Sequence, residues 1–253
     1  MFRINLAFVL VNIDSFFDLL RENNGAVIGS VALKLVMNGC STSWNPRDLN
    51  IGTPRNGLSV FSEWLRRIDY KFSGTGVLRR EVAGALTHTI YVNGEGRAVT
   101  VTETKETDSF LGAIVGASHT ATMNFITSEH VRSLYPAETL KNRFSYAYRT
   151  PLSPSQKSAL LRRGFVLVTE SNGHPAGRHV CPDTHRQLAG FVGIGLFEWK
   201  SGGPTSNFLT RSYTWRLGDS CANPVCTAER MSRHLVRRDS FCRDNSEIGE
   251  DED

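Results

Sequence analysis

An α/β (α+β) fold, a mixed β-sheet with flanking helices, is predicted by three stretches of this 253-residue chain. Ala26, Val27 and Ile28 form a short apolar run that stops at Gly29-Ser30 and opens onto a helix-length apolar segment, Val31, Ala32, Leu33, Leu35 and Val36. Asp48-Leu49-Asn50-Ile51 alternates polar and apolar with the period of a strand. Residues 87 to 91 and 98 to 101 read as two strands joined by Asn93-Gly94-Glu95-Gly96, whose glycines suit a hairpin.

The elements follow in order. Asp14 or Ser15 can cap a first helix, which Asn23-Asn24-Gly25 ends by letting the backbone turn through positive φ. The strand, turn and helix at 26 to 36 come next, then a polar turn at 41 to 47 that contains Pro46, then the strand carrying Asp48. Leu58, Phe61, Trp64, Leu65 and Ile68 recur at three- and four-residue intervals and predict an amphipathic helix, with Arg66 and Arg67 suited to its negative C-terminal end. Beyond the hairpin, residues 121 to 126 fit a strand or the start of a buried helix. Ser153-Pro154 opens a helix that runs to Gly164, and residues 165 to 169 follow as a strand. Residues 171 to 179 and 201 to 207 read as loops, and no internal repeat is visible.

Composition narrows the class. Hydrophobic residues at 40% and charged residues at 21% are ordinary globular usage, which excludes wholesale disorder and fibrous repeats. The net charge of +4 leaves little excess for a dedicated nucleic-acid binder. Cys40, Cys181, Cys221, Cys226 and Cys242 are an odd set in a chain too large to need disulfide staples, so an intracellular setting, cytoplasmic or nuclear, is expected. The apolar run over residues 2 to 11 is far short of a membrane span and is followed by no small-residue cleavage site; it reads as part of a first structural element rather than a signal peptide. No membrane association is expected.

The candidate chemistry lies where a strand ends in Gly-Ser and opens a helix. Free backbone N–H groups and the positive end of the helix dipole converge there, and phosphate binds such a point. Gly29 lets the backbone approach closely, while the Ser30 hydroxyl can cap the helix or donate to a phosphate oxygen. On the next strand Asp48 and Asn50 share one face, spaced so that both can grip one metal ion.

Gly-Ser opening a helix, followed by Asp-apolar-Asp-apolar on the next strand, is the signature of the nucleotidyltransferase superfamily, the fold of DNA polymerase beta and poly(A) polymerases. The run from Val27-Ile28-Gly29-Ser30 through Trp44-Asn45-Pro46-Arg47-Asp48-Leu49-Asn50-Ile51 to Trp64-Leu65 resembles, more closely, nucleotidyltransferase-like proteins of mushroom-forming fungi. Thr120-Ala121-Thr122-Met123-Asn124-Phe125-Ile126-Thr127, Leu134-Tyr135-Pro136 and Cys181-Pro182 continue the likeness, which covers about residues 10 to 190.

The resemblance implies binding of a nucleoside triphosphate with Mg²⁺, and nucleotidyl transfer by carboxylate-held metal ions. It assigns nucleotide or phosphate binding to Gly29 and Ser30, and catalysis and metal binding to Asp48 and Asn50. This chain departs from the pattern. Asn50 stands where a second carboxylate is expected, and an amide oxygen brings neither negative charge nor basicity. The third carboxylate is expected on Val99-Thr100-Val101-Thr102, which has none, with Glu103 just beyond. The interval from Ser30 to Asp48 is also long, which an inserted turn at 38 to 43 would explain. Activity is therefore expected to be weak or lost, and the rival reading is a catalytically inactive interaction protein that retains the fold. The expected organisation is a nucleotidyltransferase-like domain over residues 10 to 150, a C-terminal helical and strand extension over 151 to 243, and a disordered acidic tail over 244 to 253.

Other clusters are weaker. His174, His179, Cys181 and His185 with Cys221 and Cys226 have no zinc-finger spacing, so zinc is disfavoured. Arg230, Arg233, His234, Arg237 and Arg238 form a basic helical face on which nucleic acid can lie, but few aromatics interleave and the acidic tail offers a nearby counter-charge. His88 and His119 read as structural. Gly193, Gly195, Gly202 and Gly203 lack the spacing of a Rossmann or P-loop turn.

Overall fold

The computed structural model describes residues 13–37, 44–76, 84–107, 109–147, 152–168, 186–188, 194–198, 213–215 and 217. Within them the expected alternation of strand and helix is present. Helix α1 (Ile13–Glu22) carries Asp14 in its first turn and Arg21 in its last, and buries Phe16 and Leu20. It ends where Asn24 takes φ 47° and Gly25 N–H donates to the Leu20 carbonyl at 2.7 Å. Strand β1 (Ala26–Ile28) runs directly into α2 (Gly29–Val36), and β2 (Asp48–Thr53) into α3 (Leu58–Arg67), which buries Phe61 and Leu65.

A strand that periodicity did not mark, β3 (Lys71–Gly76), precedes the hairpin strands β4 (Ala85–Val92) and β5 (Ala98–Thr104). Then come a short helix α4 (Leu111–Val115), a 3-10 turn over Thr120–Thr122, and strands β6 (Asn124–Ile126) and β7 (His130–Ser133). The ambiguous stretch at 121 to 126 is thus a tight turn leading into a strand. A helical turn at Ala137–Asn142, strand β8 (Phe144–Tyr146), helix α5 (Pro154–Arg162), β9 (Val166–Val168), β10 (Arg186–Gln187), β11 (Gly195–Glu198) and β12 (Thr214–Trp215) complete the described chain.

Eight of the described strands form one sheet in the order β11-β7-β6-β1-β2-β5-β4-β3. Only the β2–β5 pairing in it is parallel, with Asn50 opposite Thr100 and Gly52 opposite Thr102, so the sheet is mixed. The chain leaves β2 through α3 to β3 at the sheet edge, and β4 and β5 return antiparallel, which brings β5 beside β2 running in the same direction. Residue alternation then assigns the two faces. Val27, Leu49, Ile51, Val99 and Val101 point one way and pack with Phe16, Leu20, Phe61 and Leu65 of α1 and α3. On the other side lie Ala26, Phe110, Ile114 and Phe125, with Phe110 and Phe125 meeting edge to face at 5.3 Å. A third apolar cluster joins Leu33 and Met37 of α2 to Leu160 and Phe165 at α5, and this packing holds α5 against α2. No helix among the described residues is long and apolar enough to cross a membrane.

Candidate functional site

The backbone at Gly29 takes φ +71°, a left-handed conformation that glycine adopts without strain, and the chain turns there from β1 into α2. A Cβ at this position would lie 3.2 Å from Asn50 Nδ2, so the glycine also makes room for the neighbouring strand. The residue before the helix, Ile28, makes no side-chain cap, which leaves the first turn of α2 without a side-chain acceptor. Ser30 does not cap the helix. Its hydroxyl, in a residue 8% exposed, donates to Asp48 Oδ1 at 3.3 Å. Asn50 Nδ2 donates to Asp48 Oδ2 at 2.9 Å. The four residues singled out from sequence, Gly29, Ser30, Asp48 and Asn50, therefore stand together, and they line one cavity of about 400 Å³.

The sheet provides the floor of this pocket. Ile28, Asp48, Asn50, His88 and Thr102 lie on the face opposite α1 and α3. His88 Nδ1 is 2.7 Å from Thr102 Oγ1, its partner across β4 and β5, and burial pushes the imidazole below its ordinary value of 6.5. One wall is α4 and the segment after it, with Ala113, Ile114, Ala117, Ser118, His119 and Thr122. His119 is 5% exposed and its Nδ1 lies 3.2 Å from Ser145 Oγ. Burial first, and then the charge of Arg163, lower its pKa to about 4, so it stays neutral at physiological pH.

Helix α5 forms the other wall. Ser153 and Gln156 close a capping box, with Ser153 N–H donating to Gln156 Oε1 at 2.8 Å and Gln156 N–H to Ser153 Oγ at 3.3 Å. The amide of Gln156 reaches Ser118 Oγ at 3.5 Å and ties the two walls together. At the far end Gly164 takes φ +80° and stops the helix, and Phe165 N–H returns to the Leu160 carbonyl at 3.1 Å. This leaves Arg163 at the pocket, its guanidinium 4.6 Å above the Trp44 ring. Burial lowers the Arg163 pKa, while Asp48 acts in the opposite direction.

Two-metal chemistry needs a cluster of carboxylates, and the donor set here does not fit one. Asp48 is the one carboxylate among the described residues lining the cavity, and both its oxygens already accept hydrogen bonds. Asn50 turns its NH₂ group, a donor, toward that carboxylate. Glu103, the nearest candidate for a third ligand, lies on the opposite face of β5 from Thr102, where its Oε1 accepts from Asn56 N–H at 2.6 Å and anchors the turn before α3. Among the described residues no group of three or more His, Cys, Asp or Glu side chains converges.

In the sequence His88 and His119 have the marks of structural residues, and nothing singles out Arg163. Each histidine makes a hydrogen bond within the fold, and each also lines the pocket. His88 carried a signal: the hairpin pairs Val92 with Ala98, and continuing that register sets His88 opposite Thr102. Nothing local marked His119 or Arg163, which reach the site through packing of α4 and α5. The zinc candidates His174, His179, Cys181, His185, Cys221 and Cys226, the basic face of Arg230, Arg233, His234, Arg237 and Arg238, and the acidic tail lie outside the described residues.

No family model matches the chain, and no curated protein does. Among solved structures the chain is similar to "The structure of CCA-adding enzyme apo form I", at 15% identity and a TM-score of 0.32, over 49% of this chain and 29% of that one. The chain thus matches less than a third of that enzyme's length, and a likeness at this level leaves the site to be read from its own geometry.

Proposed function

We propose that the pocket binds a nucleotide through Gly29, Ser30 and Asp48, and that nucleotidyl transfer from it is weak or lost. The observation that carries this reading is the meeting of the Gly29-Ser30 turn with Asp48 in one cavity, Ser30 Oγ lying 3.3 Å from Asp48 Oδ1. The volume of about 400 Å³ falls within the range of small-molecule pockets. Backbone N–H groups at the start of α2 can receive a phosphate oxygen. Ile28, Ala113, Ile114 and Ala117 offer an apolar surface for a flat base, and the neutral imidazoles of His88 and His119 offer hydrogen bonds without charge.

Weak or absent turnover follows from the donor set. A single carboxylate leaves divalent ions without the negative charge that would hold them, so Mg²⁺ would enter with the triphosphate as part of the ligand. Among the described lining residues no other supplies a charged oxygen to replace the missing carboxylates.

Isothermal titration of the full chain with ATP, GTP, CTP and UTP, each with Mg²⁺ and again with EDTA, tests the reading. Binding of at least one nucleotide is expected. No heat with any of them would favour the rival class, a catalytically inactive interaction protein that keeps the fold for its surface.

A further inference from the structure

We propose that Arg163, at the end of α5, is the residue that grips the phosphate of the ligand and makes the pocket accept an anion despite Asp48. The inference rests on the nucleotide reading and names a contact which that reading lacks. Asp48 sits against the first turn of α2 through Ser30, so an anion brought to the Gly29-Ser30 turn meets a negative charge there. Like charges brought together in a partly buried pocket repel, and a cation must offset this. Arg163 is the one permanently charged cation among the described lining residues.

Its mounting suits that role. The guanidinium lies 4.6 Å over the Trp44 ring, a contact that holds its stem, and the residue lines the cavity, where a guanidinium's N–H fork suits a planar, bidentate partner. Among the described residues no carboxylate stands within ion-pair distance of it, although Asp48 and Arg163 feel each other's charge across the cavity. A guanidinium and a carboxylate facing one cavity without touching leave a gap for a group that one of them attracts. Near Arg163 stands His119, whose neutrality avoids a second charge there.

The competing account is structural. An arginine at a helix C-terminus is favoured by the dipole, and stacking on Trp44 alone would justify it. Lys34 separates the accounts, because its Nζ lies 5.1 Å over the same ring but the residue does not line the cavity.

The test is titration of the full chain with ATP and with sodium tripolyphosphate in EDTA, for wild type, Arg163→Met, Arg163→Lys and Lys34→Met. Methionine keeps an aliphatic stem over Trp44 and removes the charge. Arg163→Met is expected to weaken both ligands about tenfold or more, the loss of a charge-assisted hydrogen-bonded contact. Arg163→Lys should weaken them by a smaller factor, since a point charge replaces the fork. Lys34→Met should bind within about twofold of wild type. Wild-type affinity in Arg163→Met overturns this assignment and leaves the nucleotide reading standing. Equal losses in Arg163→Met and Lys34→Met also overturn it, in favour of long-range charge. A wild type that binds neither ligand overturns both. Should Arg163→Met fail to fold, as judged by circular dichroism, unchanged tripolyphosphate affinity in Arg163→Lys overturns the bidentate contact.

Discussion

Replacing His119 with glutamine removes a titrating group from the pocket wall while keeping a side chain able to hydrogen-bond with Ser145. In the folded chain the imidazole holds no proton until pH falls to about 4, whereas an unfolded histidine takes one near its ordinary value of 6.5. Between those two values the unfolded state binds more protons than the native state, so stability falls as pH drops through that window. Above about pH 6.5 the contribution is fully present, and below about pH 4 no more is lost. A gap of this size corresponds to about 3 kcal/mol at 1.36 kcal/mol per pH unit. Burial is the larger cause and the Arg163 charge the smaller, consistent with a residue only 5% exposed. Urea unfolding of wild type and His119→Gln at half-unit steps from pH 8 to pH 3.5 reads the effect as a difference between the two curves, which cancels the carboxylates common to both. The expected difference is flat from pH 8 to pH 7, then moves against wild type by about 3 kcal/mol toward pH 4. A difference that stays flat through the whole range would refute the buried, neutral imidazole.

Two further changes act on the floor of the pocket. Asn50→Asp sets a second carboxylate beside Asp48, where the amide now donates at 2.9 Å; without metal the variant should melt below wild type, and Mn²⁺ should raise its melting temperature while leaving wild type unchanged. Equal Mn²⁺ responses in the two proteins would show that the side chains do not converge on a cation. Gly29→Ala puts a Cβ on a residue at φ +71°, 3.2 Å from Asn50 Nδ2, and should cost about 1–2 kcal/mol in urea unfolding and weaken nucleotide binding by titration calorimetry. Wild-type stability would mean that the turn relaxes to a conformation open to any residue.

How much of this was legible without coordinates depended on how far each feature reached along the chain. Strand alternation alone put Asp48 and Asn50 on one face, and Gly29-Ser30 marked the strand-to-helix turn, because a period of two and a positive-φ glycine are local properties. The helix caps behaved likewise: Ser153-Pro154 and Gly164 bound α5 as their chemistry requires. Strands β3, β7 and β11 were not marked, since strands at or near a sheet edge draw their stability from cross-strand partners more than from their own pattern. Glu103 shows the limit within a single strand. Its neighbourhood to the expected third ligand was visible, but whether it faced Asp48 depended on the register of β5 against β2, and that register turns it to the α3 side.

Sequence by itself determined the elements that carry the Gly29-Ser30 turn and the Asp48-Asn50 pair, because backbone preference and side-chain period act over a few residues. Only the tertiary structure decided that α4 and α5 close over them, bringing His119 and Arg163 to residues more than a hundred positions distant in the case of Arg163 and Asp48. That closure depends on Leu160 and Phe165 packing against Leu33 and Met37, apolar contacts that are non-directional and leave no mark of their partner in either segment.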